Sequence, residues 1–438
     1  MPPRAKAKDR AMNTPGGTRR DFIHSSAGFL LAGGLPAVHA AGSDVIRIGV
    51  IGCGGRGEAA AMNAMNADKG VRLAAMGDVL LDRAQEKRTA LRLKYPGQVT
   101  AGEGDLFSGI DAYKGVIAHC DVVLIANAAK FHPLHMTAAL EAGKHVFVEK
   151  PHAIDPAGLK AVARACELAR RKNLTVLSGL QSRYHPVYRE TIQRVHDGAI
   201  GGIVAIQETW LRPPYVLYPR RPGMTEVQYQ CSNQYHFHWL SGDDVPQTLI
   251  HNLDRATWAL QGQEPLKCWG MGGRSTLRGE IYGNVFDHHS VVYAYASGVR
   301  LYAACRTIDN CYNENSSVHL GTKGRCYVMQ GRIEGEVNWS YGGPKGNPYD
   351  LTHAALFKAL RTGQTLNSGD FMIRSTAAAL MGQFSCYTGQ QVTWADFSAS
   401  NFYYPPRAED VHLDMEAPVK PDAEGIYPVF TPGVTRLL

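Results

Sequence analysis

A short β-branched run, Val45 to Ile51, breaks at Gly52-Cys53-Gly54-Gly55-Arg56-Gly57 and is followed by the helix-prone stretch Glu58 to Ala67. Strand, glycine bend and helix in that order open a βαβ unit whose first turn receives a dinucleotide. The three glycines of the fingerprint act differently. The first permits the tight turn, the second lets backbone approach a pyrophosphate, and the third lets helix and strand pack closely. The pyrophosphate then rests on the helix N-terminus, where unpaired N–H groups and the helix dipole favour negative charge. A second strand, Val71 to Met76, ends at Gly77-Asp78, 21 residues beyond Gly57. That spacing suits the carboxylate that holds the adenosine ribose. A carboxylate there repels a 2′-phosphate, so NAD is expected and NADP less so, although Arg83 lies near enough to accept a phosphate.

The alternation runs on with helix Leu81 to Lys94, strand Val122 to Ile125, helix Pro133 to Ala142, strand His145 to Val148, helix Pro156 to Lys172 and strand Thr175 to Leu180. Parallel strands joined by helical crossovers make a doubly wound sheet. From Ile203 the strands succeed one another and alternate apolar with polar residues, as antiparallel strands with one open face do. The expected fold is therefore α/β: a Rossmann doubly wound sheet over 45–181, then an α+β domain over 182–402 with a large, open, mainly antiparallel sheet. The Pro-rich, acidic tail 403–438 reads as an extended arm.

With 438 residues, 45% of them hydrophobic, the chain has material for two or three domains, and no apolar run nears the roughly 18 residues of a membrane span. The formal charge is +7, of which the first 40 residues carry +4, so the body is near neutral and offers no footprint for nucleic acid. Those 40 residues read as a twin-arginine export signal: Arg19-Arg20, the apolar stretch Ala27 to Leu35, then a small-residue cleavage site after about Ala40. The mature chain is then periplasmic or otherwise exported and free of the membrane. Nine cysteines without CxxC spacing suggest core residues rather than a disulfide framework or zinc site. His236-Phe237-His238 would put two imidazoles on one face of a strand, but lacks a partner at metal-ligand spacing, so no metal is expected.

The segment Ala142-Gly143-Lys144-His145-Val146-Phe147-Val148-Glu149-Lys150-Pro151, together with the glycine bend, resembles the Gfo/Idh/MocA oxidoreductases. His132-Pro133-Leu134-His135, Gly179-Leu180-Gln181-Ser182-Arg183-Tyr184-His185-Pro186 and His251-Asn252-Leu253-Asp254 agree with it. The resemblance implies a cofactor site made of Gly52, Cys53, Gly54, Gly55, Arg56, Gly57, Asp78, Asn127, His132, His135, Glu149 and Lys150. It implies Lys150 and His251 as catalytic residues, and Gln181, Arg183, Tyr184, Gln247 and His251 around the substrate. A hydride leaves a sugar carbon only if the hydroxyl there gives up its proton, so a cation and a base are needed. Lys150 suits the first role and His251, titrating near neutrality, the second. One departure stands out: the family commonly has an aspartate four residues before this histidine, and here that residue is Gln247. Asp243, Asp244, Tyr235 and His236 lie close upstream as substitutes.

Because free NAD is scarce outside the cytoplasm, export favours a tightly bound, recycled cofactor. The expected function is an exported NAD(P)-dependent oxidoreductase acting on a sugar or polyol hydroxyl. The alternatives are an NAD-dependent glycosidase working by transient oxidation, elimination and re-reduction, and a non-catalytic protein that binds nucleotide and sugar. The open sheet face suggests a homodimer or tetramer.

Overall fold

The computed structural model describes residues 44–438; the expected export signal over 1–40 lies outside them. Six strands build the first layer: β1 (Ile46–Ile51), β2 (Val71–Asp78), β3 (Leu106–Ser108), β4 (Val122–Ile125), β5 (His145–Val148) and β6 (Val176–Ser178). All pair parallel, in the order β3-β2-β1-β4-β5-β6. Every residue of Val122-Val123-Leu124-Ile125 is buried, as a strand covered on both faces requires. The crossovers are α1 (Gly55–Ala67), α2 (Leu81–Lys94), α3 (Ala112–Ala118), α4 (His132–Glu141) and α5 (Pro156–Lys172). In α5, Asp155 caps the start by accepting from the Gly158 N–H at 2.7 Å, Pro156 fills the first turn, and Arg170, Arg171 and Lys172 face the negative end of the dipole. Strand order reverses between β1 and β4, and this opens a crevice at their carboxyl ends.

The second layer is a nine-stranded sheet of β7 (Ile203–Arg212), β8 (Lys267–Gly273), β9 (His288–Ala294), β10 (Arg300–Thr307), β11 (Glu314–Gly321), β12 (Gly324–Tyr327), β13 (Arg332–Gly335), β14 (Trp339–Ser340) and β15 (Val392–Thr393). Their order is β14-β13-β12-β11-β7-β10-β9-β8-β15, antiparallel throughout except for the parallel pair β7 and β10. The remaining helices are α6 (Pro186–His196), α7 (Glu226–Ser232), α8 (His238–Ser241), α9 (Ile250–Ala259), α10 (Pro348–Arg361), α11 (Gly369–Thr388) and α12 (Trp394–Ala399), with a π-helical turn Val245–Leu249 leading into α9. Period-two alternation sorts the sheet's faces. Leu301, Ala303 and Cys305 of β10 join Leu253 and Ala256 of α9 and Leu380 and Phe384 of α11 in one core. On the other face Trp269, Met271 and Tyr302 are exposed, and Trp269 and Tyr302 both pair with Val292.

The chain does not lay down its layers in simple succession. Helix α10, far beyond residue 182, returns to the first layer, where Leu356, Phe357 and Leu360 share a core with Ile46 and Val71, and Asp350 accepts from Asn63 at 2.7 Å. The tail after residue 402 is irregular apart from a 3-10 turn at Ala408–Asp410, yet Val411, Ala417, Tyr427 and Leu437 are buried. His236-Phe237-His238 is not a strand. It spans a 3-10 turn and the start of α8, so the two imidazoles do not share a face: His238 packs among Tyr387, Tyr404 and Phe430 with its Nδ1 on the Asn284 amide at 2.7 Å. Among the described residues no helix is long and apolar enough to cross a membrane.

Candidate active site

The glycine bend forms as its sequence requires. Gly52 has φ +90°, and a Cβ there would lie 2.5 Å from the Asn127 backbone; a Cβ on Gly57 would lie 1.8 Å from the Gly52 carbonyl oxygen. Gly54 and Gly55 face open space, and no side chain caps the start of α1. Free N–H groups at that helix end therefore meet a cavity of about 240 Å³. Gly52, Gly54, Gly55, Arg56, Asp78, Asn127 and His135 line it, and Tyr215, Tyr218, Cys231 and Ser232 form its other wall. The Asp78 carboxylate accepts from the backbone N–H of Cys53 at 2.7 Å and of Leu80 at 3.0 Å, with Arg83 Nη1 at 3.7 Å. Burial raises its pKa, against the pull of Arg83. Cys53 turns inward, its thiol donating to the Gly77 carbonyl, and contributes backbone rather than side chain.

A second cavity of about 240 Å³ shares Arg56, Asn127, Tyr215, Gln234 and Tyr235 with the first, and adds Glu149, Lys150, Trp210, Gln247, His251 and Tyr349. Lys150, just beyond β5, donates from Nζ to the main-chain carbonyl of Gln247 at 2.6 Å, and Tyr215 Oη donates to the same oxygen at 3.2 Å. The π-helical turn presents that carbonyl; such turns recur at functional sites. The Gln247 side chain instead donates to the Ser241 carbonyl at 2.9 Å. Arg56 pairs with the buried Glu149 at 2.7 Å and lies over the Tyr349 ring at 4.8 Å. His251 sits beside Trp210, ring centroids 5.7 Å apart. Burial first, then the positive charges of Lys150 and Arg255, hold its pKa well below 6.5.

Several expected residues stand elsewhere. His132 lies behind the wall, its ring nitrogens 2.8 Å from the Pro151 carbonyl and 3.0 Å from that of Asn127, so it braces the ends of β4 and β5. Gln181 reaches the site only through the Tyr349 hydroxyl, at 3.1 Å. Arg183 does not line the substrate cavity: its guanidinium needs a buried counter-charge and finds Asp254, at 2.8 Å, between the rings of Trp258 and Phe371. Tyr184 packs on the core of the first layer. Of the acids near Gln247, Asp243 is consumed by the Phe286 N–H at 2.8 Å and the Tyr387 hydroxyl. Asp244 Oδ1 accepts from Thr248 and from Arg212, the latter at 3.2 Å, and Thr248 in turn meets Tyr215 Oη at 2.9 Å, so a hydroxyl chain links the cavity to a buried, arginine-paired carboxylate. Tyr215, Tyr218 and Tyr349 were not singled out by sequence reasoning; the aromatic, proline-rich run Arg212 to Pro219 is a local hint for the first two, and nothing local marks Tyr349.

The cleft has room and chemistry for a dinucleotide. Asn127 Oδ1, both ring nitrogens of His135 and Nδ1 of His251 are buried without a hydrogen-bond partner, and Gly54 and Gly55 leave the backbone approachable. Among the described residues no cluster of His, Cys, Asp or Glu is placed to hold a metal ion.

Burial keeps seven histidines neutral, and this sets a pH dependence. His132, His236, His238 and His353 are pushed down to about 4, His135 and His152 to about 3, and His251 well below its ordinary value, each chiefly because burial penalises the cation. The unfolded chain takes up protons near pH 6.5 while the folded one does not. Stability is therefore full above that pH and falls as pH drops towards 4, by at most about 1.4 kcal/mol per pH unit for each histidine. Urea unfolding at pH 7.5 and pH 5.5 is expected to show a clearly lower midpoint at 5.5; equal midpoints would contradict the neutral assignment.

Fold and cleft together define a dinucleotide-binding α/β protein whose second layer closes the site. Residues 46–179 match the GFO_IDH_MocA family model, described as the oxidoreductase family with an NAD-binding Rossmann fold. Among curated relatives, inositol 2-dehydrogenase 3 of Saccharopolyspora erythraea is 31% identical over 50% of this chain and 54% of its own length. Myo-inositol 2-dehydrogenase of Thermotoga maritima is 26% identical over 69% of this chain and 81% of its own. The chain spans about half the length of several of the curated relatives it matches. In fold it is similar to the aldose-aldose oxidoreductase of Caulobacter crescentus complexed with glycerol (TM-score 0.61, 19% identity, 80% of this chain and 99% of that one). It is likewise similar to GenD2 from gentamicin A biosynthesis in complex with NAD (TM-score 0.60, 16% identity, 84% and 99%).

Proposed function

We propose that this protein is an NAD(P)-dependent oxidoreductase acting on a ring hydroxyl of a sugar or cyclic polyol. The observation that carries the reading is that Lys150 and His251 wall one cavity, which continues into the cleft at the glycine bend through Arg56, Asn127 and Tyr215. The dinucleotide, when bound, supplies the hydride acceptor. Lys150, steadied by the Gln247 carbonyl, favours the alkoxide that forms as the hydroxyl loses its proton. His251, neutral by burial, stands in its proton-accepting form. The Tyr215–Thr248–Asp244 chain supplies the carboxylate that position 247 lacks. Trp210 offers an apolar face to a sugar ring. The inositol dehydrogenases among the relatives support a cyclic polyol or pyranose as substrate.

The test is to give the purified protein myo-inositol, D-glucose and aryl glycosides in turn and follow the reduced nicotinamide band at about 340 nm. A band with one of the polyols or sugars supports the reading. Release of the aryl group with no net change in the nucleotide would replace it with the elimination route of an NAD-dependent glycosidase. A flat trace with every compound and no cleavage would leave a nucleotide- and sugar-binding protein. Two further proposals go with this reading. The paired arginines Arg19-Arg20 support export, and fractionation of the expressing cells tests it. The exposed Trp269, Met271 and Tyr302 support pairing of the open sheet face with a second copy; sedimentation velocity is expected to give a dimer or tetramer, and a monomer would contradict it.

A further inference from the structure

The cleft at the glycine bend is walled on its outer side by a segment from the second layer. After β7 the chain runs through Tyr215 and Tyr218, crosses to the first layer, and returns through α7. Two contacts hold this crossing against the Rossmann domain. The Arg83 guanidinium lies 5.0 Å from the centre of the Tyr218 ring, and Arg221 pairs with Asp82. Both partners, Asp82 and Arg83, belong to the first turn of α2, directly after the ribose-binding candidate Asp78.

On its outward side the same segment is fastened by the C-terminal tail. Thr225 Oγ1 donates to the Leu413 carbonyl at 2.6 Å and Gln230 Nε2 to the Val419 carbonyl at 2.7 Å. Arg220 pairs with Glu226 and Glu280, each at 2.6 Å, and the buried Tyr427 donates its hydroxyl to Glu226. The segment cannot swing away from the cleft without breaking its bonds to Leu413, Val419 and Tyr427 of the tail.

We propose that residues 213–232 form a strap over the adenosine half of a bound dinucleotide, and that the tail 403–438 is the latch that keeps it shut, making the nucleotide a non-exchanging group of the protein. The inference rests on reading the cleft as a dinucleotide site. It gives the tail a role that its lack of regular structure does not suggest.

The experiment uses the full chain loaded with NAD, desalted, and sampled over time for bound nucleotide by mass spectrometry after denaturation. The wild type is expected to keep its NAD through desalting, whereas the double variant Tyr218→Ala/Arg221→Ala and the latch variant Tyr427→Phe lose it at least about tenfold faster while still taking up added NAD. Release as slow as the wild type from both variants, or exchange within seconds from the wild type, overturns the strap. A wild type that takes up no NAD at all, even at high concentration, overturns the dinucleotide site itself, a separate failure. Should the variants misfold, hydrogen–deuterium exchange on the wild type decides: slower exchange over 213–232 when NAD is bound supports the strap, and unchanged exchange there overturns it.

Discussion

Lys150→Met is expected to lower kcat by about a thousandfold while leaving nucleotide content and fold unchanged. Removing one preorganised donor to a developing oxyanion costs about 10²–10³ in rate, and here the donor also carries the full charge that favours the alkoxide. Methionine keeps most of the volume of lysine, so the wall of the cavity survives. The carbonyl that Lys150 serves, that of Gln247, retains Tyr215 Oη at 3.2 Å, so no buried acceptor is orphaned. The result is read from steady-state rates with whichever sugar reduces the wild-type nucleotide, alongside bound NAD by mass. A variant with near wild-type kcat would remove Lys150 from the chemistry.

The second large effect belongs to Gly57. Gly57→Ala puts a methyl group 1.8 Å from the Gly52 carbonyl oxygen and 3.2 Å from Val50 Cγ1. Neither can yield: the Gly52 N–H is bonded to the Gly77 carbonyl at 2.8 Å, and Val50 is wholly buried in β1. Helix α1 must move off the sheet, at a cost of about 3 kcal/mol or more. The melting temperature is expected to fall by several degrees and NAD binding to be lost. Gly54→Ala is the contrasting variant. Its Cβ would meet nothing within 4 Å, so stability holds within about 1 kcal/mol, while the methyl group stands where the pyrophosphate must approach. Calorimetry with NAD titration separates the two: equal melting temperatures for both variants would contradict the division of labour among these glycines.

How far the sequence could be read depended on how local each feature is. The bend, its three glycines and Asp78 were legible because strand, turn, helix and carboxylate succeed one another within one βαβ unit, and each glycine answers a constraint set by its neighbours. Lys150 and His251 were legible as motif residues. Their convergence on one hydroxyl was expected and both line one cavity, but the π-helical carbonyl that holds the lysine, from a residue 97 positions away, was not legible. The Arg183 reading failed for a physical reason: the stretch after β6 starts beside the crevice, but a half-buried guanidinium goes to the nearest buried carboxylate, Asp254, which no spacing rule locates. His236-Phe237-His238 has the alternation of a strand, yet the 3-10 turn Gln234–His236 runs straight into α8, which Gly242 closes in the left-handed region. Helix α10 and the latch contacts of Tyr427 join segments more than a hundred residues apart, and periodicity carries no information at that range.

A crystal structure of the protein grown with NAD bears most directly on the proposed chemistry. The pyrophosphate is expected on the N–H groups of Gly54 and Gly55, the adenosine ribose at Asp78, and the nicotinamide in the cavity of Lys150 and His251, leaving room for a hydroxyl carbon about 3.5 Å from the ring. A nucleotide bound elsewhere, or one whose nicotinamide points away from Lys150 and His251, would contradict it.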